Sequence, residues 1–247
     1  MNDIVKLADY LLSSNNVMAL TGAGMSTESG IPDFRSEFTG IWNTMDPGLI
    51  CYSVLKDDPE VFYKHFKLLA QMGKGTKPNA GHYVLAELEH MGIIKRVLTQ
   101  NIDGFHTMAG SKNVLEVHGN FNHAICMNCG ERYVYQLIQD ELDKENYHPL
   151  STCCKATLRP SVVVFGDSLP MEYHQFLRDE LGKVDFLLVM GTSLEVYPVA
   201  DLPSAVGRYA MINKKKTRKD FGAKIVIHDS ISHALNQLLY EIKNRNK

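Results

Sequence analysis

Seven short apolar runs, set between longer amphipathic stretches, constrain this chain more than any other feature. They are Val17–Leu20, Lys95–Thr99, Val114–Val117, Ser161–Phe165, Phe186–Met190, Ala210–Asn213 and Lys224–His228. Most are near-continuous in Val, Ile and Leu, without alternation, as expected of strands buried on both faces. The stretches Glu60–Gln71, Ala80–His90, Glu172–Leu181 and Ser232–Lys243 carry apolar residues at helical spacing. Strands alternating with helices predict an α/β fold built on an open parallel sheet with helices on both faces. Ligands of such sheets bind beyond the carboxyl ends of the strands.

Two regions interrupt the alternation. Residues 33–80 contain Gly40, Pro47, Gly48, Gly73 and Gly75 and are read as a mobile loop followed by a helical insertion. Residues 122–158 are bracketed by cysteine pairs and hold a polar helical pattern around Tyr135–Lys144. The expected division is therefore a Rossmann-like domain from 1–32, 81–121 and 159–247, a loop and helical insertion at 33–80, and a small insertion at 122–158. With 45% hydrophobic and 22% charged residues in 247, the chain can bury a sizeable core. A net charge of −2 argues against direct nucleic-acid binding. No apolar run approaches membrane-spanning length, and the N-terminus lacks the pattern of a signal peptide. A cytoplasmic protein with no membrane partner is expected.

Three strand ends carry the chemistry. After Val17–Leu20 comes Gly22-Ala-Gly-Met-Ser-Thr-Glu-Ser-Gly-Ile-Pro-Asp-Phe-Arg35. Small residues leading from a strand into a helix start allow a backbone to approach a pyrophosphate. The usual dinucleotide fingerprint is incomplete, because Thr27 stands where its third glycine would be. Thr99-Gln-Asn-Ile-Asp103 ends the second strand, either as an Asx turn or as a polar pocket lined by Gln100, Asn101 and Asp103. Val114–Val117 ends in His118-Gly119. A histidine there is either structural or a group able to take a proton near neutrality.

Of five cysteines, Cys51 stands alone, while Cys126 with Cys129 and Cys153 with Cys154 form pairs. In a reducing compartment such pairs point to a metal, here structural Zn2+. Adjacent cysteines share one metal only if the backbone is locally distorted. His148 and His123 are alternative ligands, and free thiols in a degenerate insertion are the other reading. The basic run Lys214–Lys219 reads as a solvated loop or as a contact for phosphate or an acidic partner.

Taken together, these runs resemble the sirtuins, NAD-dependent protein-lysine deacylases. Also matching are Leu158-Arg-Pro160 leading to Phe165-Gly-Asp167, then Gly191-Thr-Ser-Leu194 and Ile212-Asn213, in family order over nearly the whole chain. No long extension lies beyond this span, which suggests a compact bacterial-type member. The resemblance implies that NAD is consumed and that nicotinamide, free lysine and O-acyl-ADP-ribose are formed. It implies His118 as general base toward a ribose hydroxyl, with Asn101 also catalytic. Gly22, Ala23, Gly24, Thr27, Asp33 and Arg35 would lie along the phosphates and riboses, and Phe34 would shield the reactive sugar. Gln100 would contact the nicotinamide ribose, with Asn101, Ile102 and Asp103 at the nicotinamide. Thr192, Ser193 and Asn213 would hold the adenosine half.

An acyl-lysine peptide of a partner protein would add as a strand between two loops, touching Val164, Phe165 and Gly166 on one side and Glu195 and Val196 on the other. The metal ligands would be Cys126, Cys129, Cys153 and Cys154, although the resemblance expects the third at Ser151. Family members that favour dicarboxylic acyl groups carry Tyr-x-x-Arg where this chain has Tyr63 and Phe66, so uncharged acyl groups, acetyl first, are expected. An NAD-dependent ADP-ribosyltransferase and a non-catalytic NAD-sensing module are the rival readings.

Overall fold

The computed structural model describes residues 2–245. The chain begins with helix α1 (Asp3–Ser13), strand β1 (Val17–Thr21), and helices α2 (Tyr52–Asp57), α3 (Pro59–Met72) and α4 (Ala80–His90). Next come β2 (Ile94–Thr99), α5 (Phe105–Met108), β3 (Val114–Glu116), β4 (Gly119–Cys126), β5 (Arg132–Val134), α6 (Gln136–Asp143) and β6 (Leu158–Val162). The last part holds α7 (Met171–Asp179), β7 (Phe186–Met190), α8 (Leu202–Val206), β8 (Tyr209–Ile212), β9 (Ile225–Ile227) and α9 (Ile231–Arg245).

Six strands form one parallel sheet in the order β3-β2-β1-β7-β8-β9. Every residue of β1, β7 and β8 is buried, which accounts for their unbroken apolar sequences. Helices α1, α4 and α9 pack Leu7, Leu11, Leu85, Leu88, Leu235 and Leu238 on one face. Tyr173 and Phe176 of α7 and Leu202 of α8 cover the other. Local signals place the helix starts. Asn2 accepts the Ile4 N–H, Asp58 caps α3 ahead of Pro59, and Asn79 with His82 forms a capping box on α4. Among the described residues no helix is long and apolar enough to cross a membrane.

From β1 the strand order runs outward one way through β2 and β3, and the other way through β7, β8 and β9. The reversal between β1 and β7 opens a crevice at their carboxyl ends. There Thr21 is level with Thr99 of β2 and Met190 of β7.

The run Ser161–Phe165 does not join this sheet, as the apolar reading had expected. Its first two residues end β6, which pairs antiparallel with β4 in a separate three-stranded sheet of order β5-β4-β6. The physical sign is alternation: Leu158, Pro160 and Val162 are buried while Arg159 and Ser161 are half-exposed. Pro160, which cannot donate to a ladder, fits the edge position of β6. Beyond it, Val163–Phe165 leave the sheet and run along the crevice.

The two insertions share one core. Phe62, Tyr63 and Phe66 of α3 cluster with Ala124 of β4, Ile138 and Leu142 of α6 and Leu158 of β6. The Tyr63 hydroxyl donates to the Leu158 carbonyl at 2.5 Å, tying helix to sheet. Helical insertion and cysteine-bearing insertion therefore form one body, seated beside the carboxyl edge of the parallel sheet.

Candidate active site and metal centre

A cavity of about 960 Å³ fills the seam between this body and the sheet. Its floor is the crevice between β1 and β7. The Gly22 amide donates to the Met190 carbonyl at 3.1 Å, and that of Gly24 to the Gly191 carbonyl at 2.8 Å. A Cβ on Gly22 would come within 2.7 Å of Thr192 Cβ, and one on Gly24 within 2.8 Å of Gly191 Cα. These glycines thus let two strand-end turns interlock. In place of the expected helix start, Ala23–Met25 and Thr27–Ser29 each form a single 3-10 turn, ended by Gly30 at φ 93°. The close packing on Gly191 leaves the segment hugging the floor.

A hydrogen-bonded hub joins this floor to the end of β2. Asn101 is buried, and its Nδ2 donates to the Gly22 carbonyl and to Ser26 Oγ, both at 3.1 Å. Ser26 Oγ donates to Asp103 at 2.6 Å, and Asp103 also accepts the Phe105 N–H at 2.9 Å. Burial raises the pKa of Asp103 above the usual carboxylate range, opposed by these donors. Gln100 reaches sideways, donating from Nε2 to Thr192 Oγ1 at 3.0 Å. Polar residues at the strand end pointed to this hub. Ser26, its central oxygen, sits in a run of small residues that gave no separate signal.

His118 ends the β3 segment and lines the cavity. Its Nδ1 lies 2.9 Å from the Gln100 carbonyl, an acceptor only, so Nδ1 carries the proton and Nε2 is left as a free base. Burial lowers its pKa below the ordinary histidine value, opposed by that hydrogen bond. At neutral pH the ring is therefore uncharged and can accept a proton.

All the remaining expected contact residues meet at the same seam. Ala23, Thr27, Ile102, Thr192, Ser193 and Asn213 line the cavity, as do Val164, Phe165, Gly166, Glu195 and Val196. The buried Asn213 exchanges both amide groups with the Thr192 backbone at 3.0 and 3.1 Å, so it acts by holding Thr192. Asp33 starts the overlying loop, accepting the Ser36 N–H at 2.6 Å. Phe34 stacks on Trp42 at 5.0 Å, and Arg35 pairs with Glu195 across the cleft at 3.2 Å. Asp167 forms a two-pronged ion pair with Arg159 at 2.6 and 3.0 Å and accepts the Val164 N–H, fixing the Val163–Gly166 wall. The sequence reading missed the aromatic wall of Trp42, Phe121 and Tyr135. Lys214, Lys215 and Lys216 are exposed, as a solvated loop would be, and they also border the cavity.

The profile of the Sir2 family matches residues 22–198. The chain belongs to the Sir2 family. It is 45% identical over 241 residues to NAD-dependent protein deacetylase 2 of Caldanaerobacter subterraneus subsp. tengcongensis, covering 97% of this chain and 96% of that protein. It resembles the structure of a Sir2 variant with deacetylated p53 peptide and 3′-O-acetyl-ADP-ribose, with a TM-score of 0.88 and 34% identity over 96% of this chain and 97% of the other. A complex of Sir2 with p53 peptide and NAD+ matches with a TM-score of 0.84 and 33% identity, over the same shares of both chains. Like those Sir2 folds, this one is a parallel, Rossmann-like sheet carrying a smaller body.

At the far end of the Sir2 small body, Cys126, Cys129, Cys153 and Cys154 bring their sulfurs within 4.8 Å of one another. Tetrahedral Zn2+ with bonds of about 2.3 Å spaces its thiolates about 3.8 Å apart, so the four fit a structural zinc. Neither His148 nor His123 belongs to the group; His148 Nε2 is instead 3.0 Å from Thr157 Oγ1. Lys155, directly after the adjacent pair, lies in the left-handed region at φ 55°.

Proposed function

We propose that this chain is an NAD-dependent protein-lysine deacetylase acting on acyl-lysine proteins or peptides. The observation that carries the reading is the tautomer of His118: its Nδ1 is engaged by the Gln100 carbonyl, leaving Nε2 as the base on a residue that lines a cavity in which three strand ends converge. The cavity is large enough for a dinucleotide and an acyl-lysine side chain together. Bound there, NAD supplies the ADP-ribosyl group that sheds nicotinamide and receives the acyl group. That makes the reaction a group transfer, with O-acyl-ADP-ribose, nicotinamide and free lysine as products.

The chain's own part is orientation, exclusion of water and movement of one proton. Gly22, Ala23 and Gly24 present backbone to the phosphates beside Thr27, with Arg35 and Asp33 in the loop above. Gln100 meets the ribose, Asn101, Ile102 and Asp103 the nicotinamide, and Thr192, Ser193 and Asn213 the adenosine side. Phe34, backed by Trp42, covers the reacting sugar. His118 Nε2 takes the proton of a ribose hydroxyl and passes it on. Val164–Gly166 and Glu195–Val196 flank the extended peptide. Phe66 lines the acyl end, where an arginine would suit a carboxylate, so the acyl group is uncharged. A metal held by Cys126, Cys129, Cys153 and Cys154 is structural, lying at the end of β4 and beyond the cavity lining. We keep the domain division at 32, 80, 121 and 158, with the antiparallel sheet itself running from Gly119 in β4 to Val162 in β6, and unpaired thiols accord with a cytoplasmic setting.

The test is release of deacetylated peptide with NAD and an acetylated peptide, comparing wild type with His118→Ala. We expect robust turnover in wild type and a loss of about 10²- to 10⁴-fold in the variant. No turnover by wild type would overturn the reading, and intact turnover by the variant would remove His118 as the base. ADP-ribosylated peptide as the main product would favour the transferase alternative.

A further inference from the structure

The thiol cluster has a fifth side chain turned toward it. Ser151 is buried, and its Oγ lies 3.3 Å from Cys126 Sγ. The Ala156 N–H donates to the same oxygen at 3.2 Å, while the Ser151 N–H donates to the Ala156 carbonyl at 2.8 Å. Residue 151 is thus held from both sides with its side chain at the cluster. Cys153 enters from elsewhere, its sulfur 3.4 Å from Cys129 Sγ. Its backbone N–H donates to the Tyr133 hydroxyl oxygen at 3.1 Å, and the Thr152 hydroxyl donates to the same oxygen at 3.3 Å.

The Cys126 thiol donates to Ser151 Oγ. Once a metal displaces the thiol proton, the sulfur can only accept, and the Ser151 hydroxyl must turn round to donate. A divalent ion with four thiolates carries two excess negative charges, and one of these sulfurs is buried, so such donors are needed.

We propose that Ser151 donates its hydroxyl hydrogen to the Cys126 thiolate of a four-thiolate zinc centre in which Cys153 is the third ligand. Residue 151 is then a latent ligand position. A sulfur there, beside Cys126, lies near the spacing of about 3.8 Å between thiolates on one zinc. The ligand could move two residues along the loop without refolding it.

Two readouts test this on the full chain: Zn2+ affinity by competition with a chromogenic chelator, and absorption of the Co2+-substituted protein. Thiolate-to-cobalt charge-transfer intensity rises with the number of thiolates. Ser151→Ala is expected to keep the four-thiolate spectrum and to bind zinc about 10-fold more weakly. Cys153→Ala should show three thiolates, or fail to fold, and adding Ser151→Cys to it should restore folded protein with four. A four-thiolate spectrum in Cys153→Ala would overturn the ligand assignment. Wild-type affinity in Ser151→Ala, or a double variant left at three thiolates or unfolded, would overturn the roles given to the Ser151 hydroxyl and to position 151.

Discussion

The sheet and the small body hold together by different means. The sheet buries three strands completely and is covered on both faces by helices, so its stability comes from apolar area taken out of water. The small body has one three-stranded antiparallel sheet whose β5 is exposed at Arg132 and Val134, and an aromatic core borrowed from α3. Its far end has four thiols where a core would otherwise be. A body this small needs such a staple. The catalytic cavity lies where the self-sufficient part meets the dependent one.

Metal removal should break this comparison most visibly. With zinc stripped by chelator, amide exchange should lose protection across 119–162 while β1 and β7 keep theirs, and deacetylation should fall with the small body. Uniform loss over both regions would show that they are one cooperative unit.

Acid attacks the other side. His82 and His106 lie in α4 and α5 with ring centres 4.9 Å apart. Burial lowers His82 to about 4, against the pull of Glu28, and burial followed by the His82 charge lowers His106 to about 3. Unfolded, both titrate near 6.5, so between these values the unfolded chain binds more protons and stability rises with pH. Stability should therefore fall as pH drops from about 6.5 toward 4, by up to about 1.4 kcal/mol per pH unit for each histidine. Urea midpoints of His82→Gln at several pH values would check this, since the variant should flatten the slope.

Gly24→Ala drives a Cβ against the Gly191 backbone. Overpacking of this kind costs about 1–3 kcal/mol. Because the strain sits on the cavity floor, the KM for NAD should rise as the urea midpoint falls. Tyr63→Phe should act least, removing one hydrogen bond worth about 1 kcal/mol between the two insertions. Its effect should appear in exchange rates of the small body and not in those of β1.

The six sheet strands were legible as short apolar runs, and burial on both faces leaves β1, β7 and β8 with no polar alternation at all. The antiparallel sheet was not: β5 is three residues long, with a charge at Arg132, and β6 alternates across Pro160. Within the site, polar runs at strand ends stood out because buried polar groups need partners. Trp42, Phe121 and Tyr135 gave no such signal, since an aromatic lining a cavity and one filling a core look alike in sequence. Asn213 lines the cavity, and its amide is engaged with the Thr192 backbone, which its sequence position does not reveal.

The Tyr63–Leu158 bond and the common aromatic core make two insertions, separated by more than forty residues of chain, a single object. Parts welded in this way cannot rearrange independently around a bound cofactor. Any change in cleft width would then be a single coordinate, turning where the chain crosses near Pro32, Asn79, His118 and Val163. His118 stands at one of those crossings, tied to the Gln100 carbonyl of the sheet, so the base would keep its place over the sheet through such a change.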